Sequence, residues 1–140
     1  MNISNPLKSY AQIAAQTAPP GQLVLMLFDR ALRAMDTALT GFDYSDPRRR
    51  NETIHNNLRR AVDIIRLLNH SLNLQEGGEL AGTLRRLYVY FEDRLVNSNM
   101  KKNRDGVDEV ISHMKPIRDA WAEMLSRQGQ EQPDDELAVA

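Results

Sequence analysis

Cysteine is absent from all 140 residues of the chain, which removes thiol nucleophiles, disulfides and thiolate metal sites, and redox chemistry with them. Aromatics are scarce at 6%, with a single Trp. Long apolar runs are missing too. The longest strictly apolar stretch runs only from Leu23 to Phe28, far short of the roughly 20 residues a membrane-spanning helix needs. The leading "MNISNPLKSY" has neither the basic start nor the apolar run of a secretory signal, so a cytoplasmic protein without membrane insertion is expected. Charge of one sign is also lacking, since 18 basic and 19 acidic residues nearly cancel. Glu131, Asp134, Asp135 and Glu136 crowd into the last ten positions, which leaves the rest only weakly basic and makes nucleic acid an unexpected partner.

Val/Ile/Thr-rich alternation is missing throughout, whereas apolar residues recur at four-three spacing four times, which predicts an all-α fold. The first stripe is Val24, Phe28, Ala31, Met35, Ala38 and Phe42, on a helix predicted from Pro20 to about residue 42. Asp46 and Pro47 form an N-cap and first-turn pair for a second helix carrying Ile54, Leu58, Ala61, Ile65, Leu68 and Leu72. After Gly77 and Gly78, a third helix carries Leu80, Leu84, Leu87, Tyr88, Phe91 and Leu95. Val107, Val110, Ile111, Met114, Ile117, Trp121 and Met124 mark a fourth, with a kink expected at Pro116. Short links between helices of similar length predict an antiparallel up-and-down four-helix bundle. Its expected span is 19–127, and a disordered acidic tail over 128–140 follows it.

Ahead of the bundle, Ile3, Leu7, Tyr10, Ile13 and Ala14 define a short N-terminal amphipathic helix over 1–18, joined by "TAPPG" as a stiff hinge. So short a helix gains order only by laying its apolar side on something. A candidate surface lies next door. Leu25, Leu32 and Leu39 flank one side of the first stripe and Leu23, Leu27 and Ala34 the other, widening the apolar arc to about 200°, where about 100° seats an ordinary amphipathic helix.

Catalytic signals are weak. Glu52 and His55 form one Glu-x-x-His pair, but a di-metal bundle needs two, and neither residue points at the core on the helical wheel. His70 and His113 stand without a carboxylate pattern, and no phosphate loop or nucleophile triad is recognisable, so no catalytic, cofactor or metal site is expected. Arg48 to Arg50, Arg59, Arg60, Arg85, Arg86, Lys101, Lys102 and Arg104 are diluted by neighbouring acids and read as solvated faces. Tyr90 falls off the core stripe of its helix, and an exposed aromatic there suggests use as a contact.

The order of "TAPPGQLVLMLFDRAL", "NNLRRAVDIIRLLNHSLN", "GGELAGTLRRLYVYFEDRLVNSN" and "IRDAW", with Leu7 and Tyr10 ahead of them, resembles the flagellar secretion chaperone FliS family over roughly residues 7–125. Pro19-Pro20 stands where that family commonly has Ser-Pro, which removes a helix cap worth about 1 kcal/mol. The resemblance implies a cytosolic, non-enzymatic export chaperone whose client is the disordered C-terminal segment of flagellin. Binding in grooves between helices would block premature polymerisation and keep the client fit for type III export. Leu7, Tyr10, Leu23, Leu25, Leu27, Leu32 and Tyr90 are the expected client contacts, and covering three or four such leucines contributes about 5 to 12 kcal/mol. By analogy the N-terminal segment lies on part of this surface and yields to the client. A second contact, between charged surface residues and the flagellar export gate, is also implied. A monomer or weak dimer is expected, the alternative being a self-associating or regulatory helical bundle without a secretion client. Replacing Leu7 and Tyr10 together by Ala is expected to change affinity for a flagellin C-terminal peptide, read by calorimetry, far more than the thermal unfolding midpoint; unchanged affinity would remove the segment from the mechanism.

Overall fold

A computed structural model describes residues 20–72 and 74–139. Four helices follow one another: α1 (Pro20–Phe42), α2 (Pro47–His70), α3 (Leu74–Lys101) and α4 (Asp105–Val139). Among the described residues there is no strand. α1 packs on α2, α2 on α3, α3 on α4 and α4 back on α1, and the short links make chain neighbours antiparallel. The Leu7 and Tyr10 segment lies outside the described residues.

Local chemistry sets the boundaries. The Asp46 carboxylate accepts from the Arg48 amide at 3.3 Å, and Pro47 occupies the first turn of α2 where its missing N–H costs nothing. At the far end of α3, Asn103 N–H bonds Ser98 C=O at 3.0 Å and Lys102 N–H bonds Asn99 C=O at 3.4 Å, the paired bonds of a Schellman cap. Lys102 takes the left-handed position there, with φ 50°, where glycine is favoured. Its ammonium folds back onto Asn99 O and Oδ1 at 2.8 and 2.6 Å, so the side chain that strains the backbone also helps cap the helix. Asn103 Oδ1 accepts from Asp105 N–H at 2.8 Å, and Asp105 and Asp108 place negative charge at the start of α4.

The core comprises Phe28 and Met35 of α1, Ile54, Leu58, Ile65 and Leu68 of α2, Phe91 and Leu95 of α3, and Val107, Val110 and Met114 of α4. Four-three spacing therefore identified the inward faces, except at Leu80 of α3 and Met124 of α4, which were placed on the stripes and are exposed. Gly106 permits the close approach of α4 to α3: a Cβ there would press on Arg94 O and Ser98 Oγ. Polar pairs tie the elements in antiparallel register, with Arg66 on Glu92 at 2.7 Å, Arg94 on Glu109 at 2.6 Å and Asn99 Nδ2 against His55 Nδ1 at 2.9 Å. Most of these are half-exposed and contribute little energy; their effect is on register.

One helix boundary differs from the sequence expectation. α3 begins at Leu74, ahead of the glycine pair, and absorbs that pair as a kink at Gly78, with φ 56° and ψ −133°. Pro116 lies inside α4, as its place within the fourth stripe predicts, and the helix continues past it.

Core burial ranks the stability effects of substitution. Leu58, 1% exposed, and Leu80, 68% exposed, are chemically identical, yet Leu58→Ala is expected to cost about 2 to 5 kcal/mol in urea unfolding and Leu80→Ala less than about 0.5.

Candidate functional site

An apolar groove of about 220 Å³ opens at the end of the bundle where α1 starts and α2 hands over to α3. α1 contributes Val24 and Phe28, one turn apart on its inward face. Ser71 and Leu72 come from the link after α2. Past the Gly78 kink, Leu80, Leu84 and Tyr88 recur every four residues and form the α3 wall with Ala81 and Gly77. Ile117 and Trp121, again four apart, close it from α4. No residue within α2 itself lines it.

The walls are fixed by polar contacts outside the groove. Trp121 Nε1–H donates to Gly21 C=O at 2.9 Å, joining α4 to the first turn of α1. A Cβ at Gly21 would stand 2.5 Å from Leu125 Cδ2, the end of a half-buried side chain that would have to turn aside. Arg118 grips Asp29 through Nε and Nη2, at 2.7 and 3.5 Å, across the same helix pair. With no serine cap at Pro19-Pro20, the start of α1 is held by this indole and by packing. The groove is therefore largely preformed.

Three side chains in the lining carry polar atoms, and the Trp121 indole N–H is already committed to Gly21 C=O. Ser71 Oγ is satisfied, donating to Leu68 C=O at 2.7 Å. Tyr88 is different. It is 3% exposed, with its ring tilted against Phe28 at 6.5 Å between centroids; among the described residues its hydroxyl has no hydrogen-bond partner, and that oxygen is not among the fully buried atoms, so it keeps access to solvent. Burial pushes its pKa up to about 12, because the phenolate would lose hydration that nothing here replaces. Tyr88 thus stays a neutral phenol throughout the physiological range, and among the described residues its O–H is the one uncommitted polar side-chain group in a mostly hydrocarbon wall.

The residues singled out in the sequence are distributed differently from what the apolar arc of α1 suggested. Leu27 and Leu32 are absorbed into the core, so they are not open surface. Leu23 and Leu25 are half-buried and lie outside the groove lining. α1 reaches the groove through its central stripe, not its flanks. Tyr90 is 45% exposed, on a different face of α3, and its hydroxyl donates to Glu109 Oε1 while Arg94 Nε donates to Oε2 of the same carboxylate. Those two bonds hold the Glu109 carboxyl below its usual range, and the same contact raises the Tyr90 pKa. Glu52 pairs with Arg48 at 3.0 Å and His55 faces Asn99, so the two do not converge. Among the described residues no three His, Asp or Glu side chains gather as a metal site would require. Sequence reasoning missed Leu72, Leu80, Leu84, Ile117 and Trp121 as surface because their spacing is that of core residues. The glycine pair just before Leu80 was the available signal.

Comparison with known proteins agrees in extent with this architecture. The family model described as flagellar protein FliS matches residues 3–128. The chain is similar to the flagellar secretion chaperone FliS of Bacillus subtilis (strain 168), with 35% identity over 89% of this chain and 90% of the relative. It is also similar to FliS of Salmonella typhimurium, at 32% identity over 89% and 93% of the two chains, and of Escherichia coli K12, at 35% over 84% and 88%.

The buried phenol has a consequence for alkaline stability. Unfolded, Tyr88 releases its proton near 10; folded, near 12. Stability is therefore unaffected below pH 10 and falls between pH 10 and 12, by about 1.4 kcal/mol per pH unit. Denaturant unfolding across that window checks this, and the Tyr88→Phe chain is expected to lose this component of the pH dependence.

Proposed function

The chain belongs to the FliS family of flagellar secretion chaperones, and on that premise we propose that its client is the disordered C-terminal segment of flagellin, held in the apolar groove. The observation that supports this reading is hydrocarbon left open to solvent between three helices. Leu80 projects from its rim, and Val24, Leu72, Leu84, Ile117 and Trp121 are only half-buried behind it. An exposed concave apolar surface rimmed by polar residues marks a binding site.

Each large side chain fully covered contributes roughly 1.5 to 3 kcal/mol, and residues already half-buried contribute correspondingly less. Ordering a disordered client costs several kcal/mol in the other direction. One groove of this size is therefore not enough, and the client extends along the bundle, with half-exposed Leu23 and Leu25 as the next apolar steps on α1. The chain's own Leu7 and Tyr10 compete for part of the same surface until the client displaces them. Function follows by shielding: in the cytoplasm the covered segment cannot polymerise, and it reaches the export gate without having folded. No bond is made or broken.

A second reading, self-association, draws on another surface. Val89, Val96 and Met100 are exposed on the outward face of α3, at spacings of seven and four that align them. Sedimentation equilibrium separates the two, since a monomer at tens of micromolar leaves that face unpaired.

Calorimetric titration of the full chain with a flagellin C-terminal peptide is expected to give micromolar or tighter binding. Leu80→Asp is expected to weaken it at least tenfold while leaving the unfolding midpoint within a few degrees. Lack of binding by the unaltered chain ends the proposal.

A further inference from the structure

The hydroxyl of Tyr88 has no role in holding the bundle together. It makes no hydrogen bond among the described residues, although the residue is 97% covered and lines the groove. Phenylalanine would supply the same packing against Phe28, so the hydroxyl, which is not among the fully buried atoms and keeps access to solvent, is the one part of the side chain that the packing does not require. The other polar atoms of the lining side chains, Ser71 Oγ and Trp121 Nε1, have their partners within the chain.

Resting on the client reading above, we propose that Tyr88 is a specificity-determining residue: its O–H donates to a backbone carbonyl of the client where that segment crosses the groove in extended form. The chemistry of the wall selects this acceptor. Among the described residues no cation lines the groove, so a carboxylate would be buried against a neutral phenol without a counter-charge, at high cost. Carbonyls inside a helix are already committed to amides four residues on, whereas an extended strand offers every one of its own. An extended backbone also places side chains two residues apart on one face. The groove, at about 220 Å³, is larger than the roughly 150 Å³ cavity that accepts a benzene ring, so it takes one large or two smaller apolar side chains flanking the bonded carbonyl. Tyr88 thereby distinguishes a strand carrying alternate apolar residues from an amphipathic helix of equal hydrophobicity.

The test compares full-length wild type with Tyr88→Phe, titrated calorimetrically with the flagellin C-terminal peptide, alongside thermal unfolding of both. Expected are about three- to tenfold weaker binding, the range one net hydrogen bond supplies, and an unfolding midpoint unchanged or raised. A scan of the peptide with amide-to-ester replacements, which weaken single carbonyl acceptors, is expected to show one position whose effect disappears in Tyr88→Phe. Equal affinity of the two proteins, or no coupled position in the scan, overturns the assignment and leaves the client reading standing. Tighter binding by Tyr88→Phe also overturns it, by showing that the hydroxyl serves the chain's own leading residues. Failure of both proteins to bind the peptide is failure of the client reading itself.

Discussion

A ring of four helices can be dry only where all four present hydrocarbon at the same level. That condition holds through the middle of this bundle and fails at one end. Around Tyr88 and Trp121 the wall is built by α1, α3, α4 and the link residues Ser71 and Leu72, with no side chain from α2. Core-type residues continue on three helices after the fourth has stopped, and the interior becomes a groove. Everything proposed about function follows from that missing quarter.

Such an opening would close if the surrounding helices could lean inward. Two contacts oppose this by fixing α4 to α1, the Trp121 indole on Gly21 C=O and the Arg118 fork on Asp29. Neither contributes much stability at a half-exposed site. Their geometry matters more, since they set the spacing of Val24 and Phe28 from Ile117 and Trp121. The opposite end is finished differently, by Asp46, by the Schellman cap at Lys102 and by Asn103, so its backbone groups are satisfied locally.

Charge has a smaller part. Acids and bases nearly balance over the chain and pair mostly within a helix or with the next one, as Arg48 does with Glu52 and Arg66 with Glu92. The Tyr90, Arg94 and Glu109 cluster belongs to the α3–α4 seam. Among the described residues the groove lining therefore presents shape, hydrocarbon and one phenol, without a charged side chain.

What the sequence determined alone was the periodic part of the structure. Helix number, the Asp46-Pro47 start of α2 and the inward stripe of every helix were legible, because capping and four-three spacing act over a few residues and need no partner. The family likeness was legible for the same reason, as an ordered series of local patterns. Only the tertiary structure decided which apolar residues remain open. Leu27 and Leu32 are sealed while Leu80, on an equally regular stripe, stands in solvent, since burial depends on which helices still run alongside at that level. The unpartnered hydroxyl of Tyr88 was hidden likewise: a hydrogen bond that is not made depends on distances to atoms far away in the chain.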